Sequence, residues 1–333
     1  MNKHPEYNFS KEIQDKLKKF KTHLKRLKYK ENTARQKTNY TGYFLKWIEN
    51  ENLQIQETRY NDLLNFIDYC KLEGNSNKHI NNKLLSIRNY YDYLKNKNPS
   101  LTNPARNLYL RGVRQKLPAN IIEFTKLEKL YTSHKPQTLR DKRNKIILSL
   151  LIYQGITTEE LHQLQPEHLK LTEGKIYVPG NSRRNSRKLE LKPFQILELH
   201  EYLLKVRPKI LDAIINITPT FRAGRKPERI NKARLETKLF VSINGSESLK
   251  NSLYHMFRAI QKINPDIRQA KQIRSSVITY WLKKYNLRQV QYMAGHKYVS
   301  STERYQLNHL HSLQQQIETL HPLNTPHPMP PLL

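Results

Sequence analysis

Lys271-Gln-Ile-Arg274, Ala294-Gly295-His296 and Tyr305 form the stretch on which the reading of this chain turns. The three-residue spacing puts Lys271 and Arg274 on one face of a helix, whose buried side is supplied by Val277, Ile278, Trp281 and Leu282. His296 comes twenty-two residues after Arg274, behind a predicted helix over Leu287 to Met293. Gly295 suits a left-handed C-cap that turns the histidine back toward that helix. Tyr305 follows nine residues later, past Ser300-Ser-Thr302. Singly these residues say little. A Lys-x-x-Arg pair is most often a solvated helix face, a lone histidine is a cap or core residue, and Tyr305 is one of 20 tyrosines, a residue type that usually packs. Together they set a phenol, whose pKa is ordinarily about 10, in reach of cations and a histidine that can ease the loss of its proton and stabilise developing negative charge.

The composition agrees with a polyanionic partner. Lys and Arg total 59 against 28 Asp and Glu in 333 residues, a formal charge of +31. Such a field gathers phosphates without reporting what is done to them, so a ribosome-associated factor would look the same by this measure. Other classes drop out. The single cysteine, Cys70, lies in an apolar-periodic stretch and reads as a small core residue, so a disulfide framework or Cys-rich zinc site is excluded. No run approaches the roughly 18 apolar residues of a membrane span. Met1-Asn-Lys-His-Pro-Glu opens no signal core, and a cytoplasmic, nucleoid-associated location is expected. No Gly-rich phosphate loop supports an ATP-driven mechanism.

Residues 1–105 read as a helical domain. Ile13, Leu17, Phe20, Leu24 and Leu27 recur at three- and four-residue steps. A second helix is predicted from near Thr33 through Tyr40, Phe44, Trp47 and Ile48, a third over Tyr60 to Leu72, and a fourth over His79 to Lys95. Gly74-Asn-Ser-Asn is turn material, and Asn103-Pro104-Ala105 closes the bundle. A basic linker over 106–120 carries Arg111, Arg114 and Lys116, suited to phosphate contact. Thr125-Lys-Leu-Glu128 has the form of a capping box opening a second domain, 121–320.

That domain shows a buried helix over Ile146 to Tyr153, then Gly155-Ile-Thr157-Thr-Glu159-Glu160-Leu161. Lys175 to Leu191 alternates β-branched and aromatic residues around Gly180-Asn-Ser-Arg183-Arg184, a predicted β-hairpin. Phe221 to Arg234 is a basic insertion. Leu307, Leu310, Leu313 and Ile317 form a last helical stripe before a Pro-rich tail, 321–333.

These motifs resemble the tyrosine recombinases, the phage integrase family, over roughly residues 12 to 320. The resemblance implies a mainly α fold: a helical SAM-like DNA-binding domain, then an integrase-type α+β catalytic domain with a small hairpin or sheet, the two joined as a C-shaped clamp. It implies site-specific cutting and rejoining of double-stranded DNA at a recombination site, with Tyr305 as nucleophile forming a 3′-phosphotyrosyl bond. Arg274, His296 and Lys271 would be its catalytic partners. No metal or nucleotide cofactor is required. A homotetramer is implied, with the terminal helix docking on a neighbour or on its own domain, and with room for an accessory DNA-bending protein. Two positions depart from the family pattern. Thr157 stands where the family has its first catalytic arginine, and Asn181 or Ser182 stands where the hairpin lysine is expected. Arg143, Lys145, Arg183 and Arg184 are the cations that could stand in, with Arg184 placed in the catalytic set. Arg183, Arg187, Arg111 and Arg114 are assigned to DNA contact. A catalytically impaired relative acting as an accessory or regulatory DNA-binding protein is the alternative. A type IB topoisomerase is a third reading, disfavoured by the short chain and the integrase-like first half.

Overall fold

The computed structural model describes residues 9–112, 120–215 and 232–306. The chain divides into two compact units, Met1–Gln115 and Lys116–Leu333. The first contains α1 (Lys11–Arg26), α2 (Glu31–Asn50), α3 (Tyr60–Leu72) and α4 (Asn77–Lys95). Its core is largely aromatic: Phe44 meets Phe66 edge-on at 5.1 Å, and Trp47 and Tyr91 close around them. Ile13, Leu17, Phe20 and Leu24 are buried as the periodicity predicts, but Leu27 falls at the helix C-cap and is exposed. Ser76 caps α4 by accepting from the His79 amide. Cys70 is buried, with the Lys83 ammonium 3.4 Å from its sulfur. Asn103 shows why the Asn-Pro-Ala segment sits where it does. Its Nδ2 donates to the Arg88 carbonyl and the Asp92 carboxylate, and its Oδ1 accepts from the Ala105 amide, tying the chain back onto α4.

The second unit is built on α6 (Leu139–Tyr153) and α12 (Ala270–Leu282). Isoleucines and leucines from 146 to 152 are buried on every side of α6, which makes it a core helix rather than an amphipathic one. Around it lie α5 (Phe124–Ser133), α7 (Thr158–Gln163), α8 (Pro193–Glu201), α9 (Arg207–Ile215), α10 (Lys232–Glu236), α11 (Lys250–Ile263) and α13 (Leu287–Ala294). A π-helical turn, Tyr202–Val206, joins α8 to α9. The predicted capping box at Thr125 is not formed. Helix α5 starts at Phe124, with Glu123 as an N-cap that makes no side-chain bond. Phe124 stacks on Tyr280 at 4.0 Å, and the Ile122 amide donates to Ser276, so α12 fixes where the helix begins.

The sheet is antiparallel, in the order β1 (Leu169–Lys170), β2 (Lys175–Val178), β3 (Arg187–Glu190). The expected hairpin is β2–β3, in register Val178↔Arg187 and Lys175↔Glu190. Gly174, at φ +63°, closes the turn from the additional strand β1. The stripe Leu307 to Ile317, the Pro-rich tail, Arg114 and nearly all of the 221–234 insertion lie outside the described residues.

Candidate active site

Three segments of the second unit converge on an open cleft of about 390 Å³: the N-terminus of α7, the hairpin tip, and α12 with the chain that follows α13. Arg274 and Lys271 reach it from α12, His296 and Tyr305 from the segment beyond Gly295, and Arg183 and Arg184 from the tip. Lys297 and Arg304 add further cations, and none of the described residues lining the cleft is a carboxylate.

Arg274 is buried and rigidly held. Its guanidinium donates to the carbonyls of Gly155 and Ala294 and lies 3.3 Å from His296 Nε2. Because arginine can only donate, Nε2 is the acceptor and the imidazole proton sits on Nδ1, which donates to Thr302 Oγ1 at 2.9 Å. Burial, then the neighbouring Arg274 and Arg184, lower the His296 pKa to about 3, so the ring is neutral. Gly295, at φ +67°, turns the chain so that the histidine faces α12. The Tyr305 ring lies nearly parallel to His296, 6.1 Å centroid to centroid. Lys271 is exposed at the rim.

The hairpin tip is stitched to this segment by backbone. Arg184 pairs with His296 in an antiparallel bridge, and the Asn185 amide donates to the Gly295 carbonyl at 3.0 Å. Asn181 folds the tip, its Oδ1 accepting from the Arg183 and Arg184 amides. The Arg184 guanidinium donates to Thr157 Oγ1 at 3.2 Å.

Beneath the cleft lies an ion pair absent from the sequence-based expectations. Arg187 and Glu160 are both fully buried and joined by two bonds of 2.7 and 3.3 Å. Arg274 stands 4.0 Å from the same carboxylate. Burial pushes the Glu160 carboxyl up, but the hydrogen bond and charge of Arg187, with Arg274 behind it, outweigh this and hold its pKa at about 2. The assignment of Arg187 to DNA contact is therefore corrected. In the hairpin register it shares the inward face with Leu189, so its charge meets Glu160 and not solvent. A side chain added at Gly295 would strike the Arg187 guanidinium at 2.5 Å, so this pair also limits residue 295 to glycine.

The other assigned cations separate. Arg183 is exposed at the tip, and Arg111 is exposed on the first unit. Arg143 is buried away from the cleft, donating to the Val241 carbonyl and to Asn144, and Lys145 pairs with Glu198. Neither can stand in at Thr157. Thr157 itself is the N-cap of α7, in a reciprocal capping box with Glu160. The Thr-x-x-Glu spacing that announces it was readable in the sequence. Thr302 carried no such signal.

Residues 120–311 match the Phage integrase family. The chain is 24% identical to the tyrosine recombinase XerD of Listeria innocua over 249 residues, 74% of this chain and 76% of that protein. To XerC of Staphylococcus saprophyticus it is 21% identical over 263 residues, 79% of this chain and 81% of that one. Among solved structures, the XerH site-specific recombinase bound to palindromic difH substrate superposes with a TM-score of 0.64 at 19% identity, covering 85% of this chain and 78% of that one. The Tn1549 transposon integrase in complex with transposon right end DNA gives 0.59 at 15% identity, covering 92% and 99%. The helical first unit and the small three-stranded sheet of the second are the fold these structures share. The chain belongs to the phage integrase family, the tyrosine recombinases, and is a site-specific recombinase acting on DNA.

Proposed function

We propose that Tyr305 attacks the scissile phosphodiester of a recombination site in double-stranded DNA. Its phenolic oxygen bonds to phosphorus, the 5′ oxygen leaves as a hydroxyl, and a 3′-phosphotyrosyl bond conserves the energy for rejoining. Arg274 and Lys271 hold the non-bridging oxygens. His296 is neutral in the free site, and a phosphate arriving among these cations raises its pKa, making it a better proton acceptor as DNA binds. Residues 1–105, the basic strap 106–120 with its Arg114, and the exposed Arg111 and Arg183 supply phosphate contacts outside the reacting centre. The protein works in the cytoplasm as a homotetramer. No described helix is long and apolar enough to cross a membrane.

The observation that carries this reading is the convergence of Arg274, His296 and Tyr305 on one cation-lined cleft. The target duplex is selected from random DNA by the Tyr305→Phe protein, and a nicked suicide form of it traps the covalent adduct. Wild type is expected to form an adduct that Tyr305→Phe abolishes with unchanged DNA affinity. An adduct of equal yield in the mutant would move the nucleophile to another tyrosine. Absence of any adduct in wild type would favour an accessory DNA-binding role.

A further inference from the structure

Of the arginines that line the cleft beside Arg274, Arg184 is the one whose aim the structure explains. Arg184 reaches from the hairpin tip to Thr157, 27 residues earlier in the chain. The Thr157 hydroxyl is fully used there. It donates to Glu160 Oε2 at 2.8 Å, and it accepts from the Glu160 amide at 3.3 Å and from Arg184 Nη1 at 3.2 Å. One proton and two lone pairs are all a hydroxyl has. The backbone of Arg184 is fixed as firmly, by its bridge to His296 and by Asn181. The guanidinium is about a quarter exposed, and its nearest carboxylate, Glu159, stays 3.9 Å away at the surface. Among the described residues its remaining N–H groups are thus positioned but not consumed.

Building on the recombinase reading above, we infer that Arg184 is a catalytic residue, the second phosphate-clamping arginine of this site, and that Thr157 is the positioning residue on which it docks. A threonine at 157 would then be required and not a defect. A guanidinium carried on residue 157 would occupy the volume and the charge that Arg184 already provides. The planar fork of an arginine can grip two oxygens of one phosphate, which a lysine cannot reproduce. Arg274 on α12 and Arg184 on the hairpin approach the cleft from separate elements, as bracing a pentavalent phosphorus demands.

The test uses the full-length protein and the suicide duplex described above. Arg184→Ala is expected to slow adduct formation on saturating DNA by about a hundred- to a thousand-fold, with duplex affinity nearly unchanged. Arg184→Lys should recover only part of that loss. Replacing the scissile phosphate by an uncharged methylphosphonate removes the charge the arginine serves, so the gap between wild type and Arg184→Ala should shrink on that substrate. A merely structural role for Arg184 would leave the gap as large. Thr157→Ser should keep the wild-type rate and Thr157→Val should lose much of it. Thr157→Arg alone should not accelerate cleavage. Wild-type cleavage with an unimpaired Arg184→Ala protein would overturn this inference while leaving the recombinase reading intact. Strong acceleration by Thr157→Arg alone would overturn it as well, showing that the site lacks a second arginine. No adduct from wild type at all would instead sink the recombinase reading itself.

Discussion

The two units bury different things. The first closes around Phe44, Trp47, Phe66 and Tyr91; Lys83 is the one buried charge among its described residues, and its ion pairs, such as Glu31 with Lys21 and Lys25, lie at the surface. The second buries Arg143, Arg187, Arg274 and Glu160 beside an equally apolar core. Apolar burial stabilises in proportion to area and tolerates conservative change. Buried charges contribute little net stability while paired, but removing one partner strands the other. The first unit therefore holds a shape, whereas the second also holds a field, and the field is what a phosphate meets.

Each unit carries one of the two tryptophans, Trp47 and Trp281, both in the core. Single-tryptophan proteins made with Trp→Phe thus report unfolding of each unit separately in the full chain. The largest expected effect is that of Glu160→Ala. Stranding Arg187, and leaving Arg274 without its carboxylate, should cost the Trp281 transition about 3–5 kcal/mol while the Trp47 transition stays put. Equal shifts in both would break the contrast. Next comes acid. His296 has a folded pKa depressed to about 3, so the folded protein refuses a proton that the unfolded chain accepts below about 6.5. Its stabilisation is complete above that pH and is lost as pH falls from 6.5 toward 3, and Glu160 adds to the loss below about 4.5. At pH 5 the Trp281 transition should be weaker by about 2 kcal/mol than at pH 7, and His296→Gln should remove most of that difference. Ile87→Val should lower only the Trp47 transition, by about 0.5–1.5 kcal/mol. Glu31→Gln should produce no measurable shift in either, since its lysine partners face solvent.

The same contrast governs what could be read in advance. Helices α1 to α4 follow from apolar periodicity, because a three- or four-residue repeat is the condition for burying one face. Arg274, His296 and Tyr305 were legible from spacing, since one helix and one left-handed glycine fix their directions locally. Arg187 was misread although the strand's alternation places it beside Leu189. A charge on an inward face looks like an error until its partner, 27 residues upstream, is known. Thr125 matched a capping pattern that α12 overrode by drawing Phe124 onto Tyr280. The aim of Arg184 was beyond local reasoning altogether, because the hairpin tip is oriented by the His296 segment more than a hundred residues away.

That bridge has a consequence during synthesis. The cleft is assembled from segments near 157, 184, 274 and 296–305, so no N-terminal portion of the nascent chain contains it. Contacts of such sequence separation form late, after the loops between them have closed. A ribosome that stalls or a chain truncated before Tyr305 releases a polypeptide that carries the whole first unit but only part of the cleft.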